Sequence, residues 1–146
     1  MGGLMMALHV RPATPADAAA ILHLNEIFND VRATEAQIRA QIARCQGIET
    51  ALLAEVDGQA VGFLCLRLLP QICDPETYAE VSELFVAEEF RRIGVARALM
   101  ERAAEMAKEA GASQLILMTG FKNVGGQRFY HSQEFENYCL AMKKQL

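Results

Sequence analysis

At 146 residues with a formal charge of −4, the chain is of single-domain size, one domain over 1–146 with one buried core. An apolar share of 52% against 22% charged residues excludes a disordered chain. The acidic balance argues against a general nucleic-acid binder, which holds phosphate backbones with clustered Lys and Arg. The best apolar run is interrupted by Arg67 and Pro70 and falls short of the about 20 residues that a membrane helix needs, so no membrane span is expected. Cys45, Cys65, Cys73 and Cys139 form no Cys-x-x-Cys pair and no zinc-finger spacing with histidine, and read as buried free thiols with no metal. Residues 1–6 lack the charged start of a signal peptide and read as a loose end, so a cytoplasmic protein is expected.

In chain order, Ala7 to Arg11 is a short strand that Pro12 closes. Thr14 then supplies an N-cap, Pro15 the first helical position and Asp17 an acid in the first turn. The spacing of Ala18, Ile21, Leu22, Leu24, Ile27 and Phe28 predicts a helix to about Asn29. Thr34 opens a second helix to about Gln46, with Ile38 and Ile42 one turn apart and Gly47 as its stop. From Thr50 the period changes: the apolar runs Ala51 to Val56 and Ala60 to Leu69 flank Asp57-Gly58, a hairpin signal. Pro70 to Thr77 reads as a loop, Tyr78 to Val86 as a strand, and Gly94 to Ala110 as a helix with Val95, Ala98, Leu99, Ala103, Met106 and Ala110 on its inner stripe. Ser113 to Thr119 is again a strand, and strand–helix–strand makes a crossover whose strands run parallel. Lys122 to Gln133 predicts a last helix and Phe135 to Met142 a last strand.

The stretch around which these elements are organised is Val81-Ser-Glu-Leu-Phe-Val86, a turn over Ala87 to Phe90, and Arg91-Arg-Ile-Gly-Val-Ala96. A helix start exposes backbone N–H groups without intrahelical partners and carries about half a positive charge, so a strand–turn–helix with two arginines suits a phosphate group. Spacing alone leaves equally open a solvent-facing basic turn that feeds an ordinary helix. Gly-Lys-Ser/Thr and Gly-x-Gly-x-x-Gly are both absent, so neither a nucleotide triphosphatase loop nor a dinucleotide site is supported.

Arg91-x-x-Gly94-x-Ala96 after Leu84-Phe-Val86 resembles the acyl-CoA signature of the GNAT superfamily of N-acetyltransferases. Asn123, then Phe129-Tyr130 and Phe135, resembles that family's second segment. The resemblance covers about residues 78 to 138. It implies an α/β GNAT fold, a mixed twisted central sheet flanked by about four helices. It further implies an acyltransferase that moves an acetyl group from acetyl-CoA directly to a primary amine, without a metal. Carried over by residue, the turn Arg91, Arg92, Ile93, Gly94, Val95 and Ala96 holds the pyrophosphate. Main-chain groups of Leu84, Phe85 and Val86 pair with the pantetheine arm, as does Asn123. Tyr130 lies near the thioester sulfur and protonates the departing thiolate.

A base is also required, because an amine of pKa near 10 is only about a thousandth deprotonated at pH 7. Strand alternation puts Tyr78, Glu80, Ser82 and Leu84 on one face and Ala79, Val81, Glu83 and Phe85 on the other. Glu80 is the first choice of base, on the family's habit, and Glu83 the second. Three departures from the family pattern stand out: Gly125-Gly126 in place of alanine, Glu134 in place of the glycine before Phe135, and Arg92 in place of a glycine. The first loosens the last helix, the second requires a different turn or strain, and the third is easily accommodated. The acceptor is expected to be shaped by the first two helices and the Pro70 loop, with Asp30, Glu35, Asp74 and Glu76 favouring a cation. A small-molecule amine is favoured; a protein N-terminus or lysine, a non-catalytic acyl-CoA-sensing module, and a phosphate-binding regulatory domain remain alternatives. A homodimer is compatible with the sequence.

Overall fold

The Asp57-Gly58 turn sets the register of the sheet. Both residues are left-handed, at φ 50° and 81°, the paired positive values whose twist matches that of a two-residue hairpin. They join β2 (Glu49–Val56) to β3 (Gln59–Leu69), which pair antiparallel. The computed structural model describes residues 6–29 and 32–146 and divides into two compact units, Met1–Ile116 and Leu117–Leu146. The expected loose start therefore lies almost wholly outside the described residues, as does Asp30.

β1 (Leu8–Pro12) pairs with β2 and β4 (Thr77–Val86) with β3, both antiparallel, and β5 (Ala112–Leu117) completes the order β1-β2-β3-β4-β5. The sheet is mixed, so its remaining pair, β4 beside β5, is the parallel one that the crossover predicts. After a short 3-10 turn at Pro15–Asp17, α1 spans Ala18–Phe28; α2 spans Glu35–Arg44 and α3 Val95–Glu109. Leu52, Leu53 and Ala54 are all buried, which needs cover on both faces of β2. On one face Leu53, Phe63 and Phe85 pack with Ile21 and Leu24 of α1. On the other, α3 lies over β1 to β4 with Val95, Leu99 and Ala103 buried. Each fully buried large side chain is worth about 1.5–3 kcal/mol.

In the second unit α4 spans Val124–Ser132. The last strand expected from Phe135 to Met142 does not form: residues 136–146 have no regular structure and are exposed. An apolar run becomes a strand only where another backbone takes up its N–H and C=O groups, and the run alone does not supply that partner. Cys73 and Cys139 fall outside the helices and strands and are exposed, which corrects the expectation of buried thiols.

Candidate active site

The end of β4 is set by backbone chemistry. Ala87 donates its amide to the Val61 carbonyl at 2.8 Å, which makes these two a bonded pair of the antiparallel ladder. Alternation of such pairs keeps the main-chain groups of Phe85 in the β3 ladder and turns those of Val86 and Leu84 to the other edge, beside β5. Of the three residues expected to offer main-chain groups, Leu84 and Val86 turn theirs to that edge, and Phe85 does not. Phe85 contributes its ring instead: the Arg91 guanidinium carbon lies 5.8 Å from its centroid, and Arg91 Nε donates to the Val86 carbonyl at 2.9 Å.

Beyond Arg91 the chain turns sharply. Arg92 stands at φ 63° and Gly94 at φ 92°. For an arginine this conformation costs about 1 kcal/mol, so Arg92 is accommodated with strain rather than easily. Gly94 is the N-cap of α3, and the first intrahelical bond runs from Ala98 N to Gly94 O at 3.0 Å. The amides of Val95, Ala96 and Arg97 thus have no carbonyl one turn back, and the first turn holds no acidic residue and no side-chain cap. In contrast, α2 caps itself: Gln37 N donates to Thr34 Oγ1 at 3.2 Å and Thr34 N to Gln37 Oε1 at 2.8 Å. A Cβ at Gly94 would meet no protein atom, so glycine there answers the backbone angle and leaves room outside. Val95 is buried and offers only its amide, whereas Arg92 and Ile93 face solvent. The turn fits a diphosphate: oriented amides, the positive end of a helix dipole, and arginines on the approach.

The carboxylates of β4 are arranged by a bulge that strand alternation does not foresee. Glu83 pairs with Cys65, but Val81 pairs with Leu66 and Glu80 with Arg67, so Ser82 is an extra residue. One inserted residue reverses the parity below it. Glu80 and Glu83 therefore lie on the same face, toward the α1 and α2 side, which corrects the expectation that they point apart. Glu80 lies 3.9 Å from Arg67, and Arg67 Nε donates to Glu49 at 3.0 Å. Glu83 has no ion pair among the described residues; its contact is Cys65 Sγ at 3.9 Å. Burial, and then the neighbouring charge of Glu49, push the Glu83 carboxyl above the usual range, while burial pushes the Cys65 thiol well up and leaves it inert.

Glu83 also lines a cavity of about 920 Å³ in the first unit, with Ile38 and Ile42 of α2, Phe63 and Cys65 of β3, and Glu49. Arg32 and Arg44 are its cationic lining. Glu35, Asp74 and Glu76, expected to shape the acceptor, do not line it. Glu35 pairs with Arg39 at 2.6 Å, Asp74 accepts from Tyr78 and from the Glu76 amide, and Glu76 accepts from Ser113. Glu49, Arg67 and Ser82 were not singled out by sequence; the only signal was the presence of charges in otherwise apolar strands.

In the second unit, Asn123 is the N-cap of α4: its Oδ1 accepts from Gly126 N at 3.1 Å and its Nδ2 donates to Thr119 at 3.1 Å. A Cβ at Gly126 would come within 2.7 Å of Asn123 Cγ, whereas one at Gly125 would meet nothing. One of the two glycines is thus required by the cap. The C-terminus of α4 closes with Phe135 N on Tyr130 O and Glu134 N on His131 O, with Glu134 left-handed at φ 66°. This is the Schellman arrangement in the position where glycine is preferred, so Glu134 keeps the turn and bears the strain. Its apolar contact is Phe135 against Tyr130, ring centroids 6.1 Å apart, and Phe129 meets the same ring at 5.6 Å. Tyr130 is therefore held by its own helix end, and burial raises its phenol above the ordinary value, so it is protonated at neutral pH.

Comparison with solved structures defines the class of fold. The chain is similar to aminoglycoside N-acetyltransferase AAC(6')-Iy in complex with CoA, with a TM-score of 0.86 at 16% identity over 100% of this chain and 99% of that one. It is similar also to ribosomal-protein-alanine N-acetyltransferase from Brucella melitensis biovar Abortus 2308, with a TM-score of 0.83 at 22% identity over 96% of this chain and 99% of that one. The model of the acetyltransferase (GNAT) family matches residues 19–135, and the chain belongs to that family. In sequence it is 40% identical over 84 residues to an uncharacterized N-acetyltransferase of Archaeoglobus fulgidus, a match that covers 57% of this chain and 57% of that protein. The matched stretch thus spans little more than half of that relative's length.

Proposed function

We propose that the chain is an N-acetyltransferase, one functional domain that moves an acetyl group from acetyl-CoA directly to a primary amine. The observation that carries this reading is the turn from β4 to α3, where Gly94 presents an uncapped helix start directly after the edge amides of Leu84 and Val86. Acetyl-CoA supplies an acyl thioester whose carbonyl accepts the amine nitrogen and whose thiolate departs. The chain's own residues do the rest. The amides of Arg92 to Ala96 bind the diphosphate, with the Arg92 charge beside them. Arg91 is committed to Val86 and the Phe85 ring, and it braces the strand end. Among the carboxylates Glu83 is preferred as the base over Glu80: it lines the cavity, it forms no ion pair among the described residues whereas Glu80 lies 3.9 Å from Arg67, and its raised proton affinity brings it closer to the amine it must deprotonate. Tyr130, kept neutral by burial, is the proposed proton donor to the thiolate. Asn123 acts first as a helix cap, and what it offers a ligand is its second amide proton.

The cavity's size, about 920 Å³, lies within the range of clefts for small molecules and supports a small-molecule amine as acceptor. The test is the melting temperature with saturating acetyl-CoA, CoA, ATP and NAD in parallel. A ligand at about 100 times its dissociation constant stabilises by about 2.7 kcal/mol. Acetyl-CoA and CoA are expected to raise the transition and ATP and NAD not to; an amine screen by thiol release follows. An equal response to ATP would refute the assignment of the turn.

A further inference from the structure

The carboxylate of Glu49, on a strand that no motif singles out, is the centre of the polar cluster beneath the cavity. Glu49 Oε1 accepts from Arg67 Nε at 3.0 Å and also from the Ser82 hydroxyl, and that hydroxyl lies 3.4 Å from the Cys65 carbonyl. Ser82 is the bulge residue, so its anchor holds the shift in register that brings Glu83 to the cavity face. Arg67, whose Nη1 lies 3.9 Å from Glu80, is held between Glu49 and Glu80. It is thereby kept as the partner of those two and not of Glu83.

We propose that Glu49 is a positioning residue for Glu83: by holding both Arg67 and the Ser82 hydroxyl on its own carboxylate, it fixes the β4 bulge and leaves Glu83 the unpaired acid at the cavity. The charged and titratable groups around Glu83 are Glu49 on β2, Cys65 and Arg67 on β3 and Glu80 on β4. Across the cavity they are Arg32, before α2, and Arg44 and the free thiol of Cys45, at its end. With Glu49 negative nearby and Arg67 turned aside, a proton on Glu83 is favoured, in line with the upward direction that burial and Glu49 give it. Neutralising Glu49 removes the repulsion and frees Arg67 to approach, and both effects lower the proton affinity of Glu83. Removing Arg67 acts in the opposite direction. The importance of Glu83 rests on the reading of it as the base, but its titration does not.

The experiment is carbon-13 NMR titration of the Glu83 side-chain carboxyl in the full chain, without acetyl-CoA or amine, in the wild type, Glu49→Gln and Arg67→Gln. Glu83 is expected to titrate at lower pH in Glu49→Gln and at higher pH in Arg67→Gln. This opposed pair is not produced by a general loosening of the strands. Titration of Glu83 at the wild-type pH in Glu49→Gln overturns the proposal, and so does a shift in the same direction in both variants. Whether Glu83 is the base is decided separately, by turnover of Glu83→Gln, so the two failures are distinguishable.

Discussion

Replacing Glu83 by glutamine keeps the shape of a half-buried side chain and removes its charge, and the two consequences have opposite sign. For turnover, an amine of pKa near 10 is free in only about a thousandth of molecules at pH 7 and in about a tenth at pH 9. Loss of the base is therefore expected to cost about 10³-fold in kcat/KM at pH 7, or about 4 kcal/mol, and only about tenfold at pH 9. For stability the sign follows from the raised proton affinity. Folding raises the Glu83 carboxyl above its ordinary 4.5, so its favourable contribution is present below that value and is lost as pH rises through the folded value. Above the folded value the charged Glu83 destabilises the fold, and Glu83→Gln should melt there at or above the wild type, with the gap closing as pH falls and the native carboxyl takes up its proton. The assay is initial-rate thiol release with the acceptor from the amine screen between pH 7 and 9, beside melting curves across pH 4.5 to 7.5. Wild-type rates in Glu83→Gln, with a hundredfold loss in Glu80→Gln instead, would refute the choice of base. A variant that melts several degrees lower at pH 7.5 would show that the carboxylate is held by a favourable partner.

The two glycines of α4 should respond differently to alanine. Gly125→Ala is expected to stabilise by about 0.5–1 kcal/mol, since its new Cβ meets nothing, whereas Gly126→Ala must expel the Asn123 side chain and forfeit a cap worth about 1 kcal/mol. Amide exchange of α4 measures both, and equal protection in the two variants would show that the cap contributes nothing. In the first unit, Arg11 donates both Nη atoms to Asp17 at 2.8 Å and holds its carboxyl at about 2, below the ordinary 3.8. A depressed value gives stability that is present above about 4 and lost as pH falls toward 2. The full shift corresponds to about 2.5 kcal/mol, and water at this partly open pair reduces it to about 1 kcal/mol. Urea unfolding of Asp17→Asn should show that deficit at pH 7 and a shrinking one toward pH 3; a deficit that is constant with pH would assign it to the loss of the 3-10 turn alone.

What sequence makes legible here is what depends on local chemistry. The Asp57-Gly58 turn, the Thr34 capping box and the amphipathic stripe of α3 are each specified by residues within a turn or two of one another; the first two form where their residues predict, and the stripe does so at Val95, Leu99 and Ala103, while Met100 and Ala107 are buried in place of Met106 and Ala110. The signature from Arg91 to Ala96 is local in the same sense, and its glycine stands in the left-handed conformation that makes the residue necessary. Arg92 shows the converse: a non-glycine in a left-handed position leaves no trace in composition or spacing, because the strain is borne by packing elsewhere, whereas the strain at Glu134, φ 66°, is the one that the resemblance led to expect. The base assignment fails to be local altogether. Alternation is a rule for an unbroken strand, and the extra residue Ser82 is fixed by Glu49, 33 positions earlier, and by the pairing of β3. Its effect is large: with Ser82 in the ladder rather than beside it, Glu80 and Glu83 would lie on opposite faces and only one would share a face with Arg67. The same reasoning limits the last strand, since the run from Phe135 to Met142 has the apolar content of a strand but no backbone to pair with among the described residues. The chemistry proposed for Glu83 is thus a property of the sheet's register, and a change that reset that register, such as filling Gly62, where a Cβ would stand 2.7 Å from the Phe85 carbonyl, acts on the proposed base without touching it.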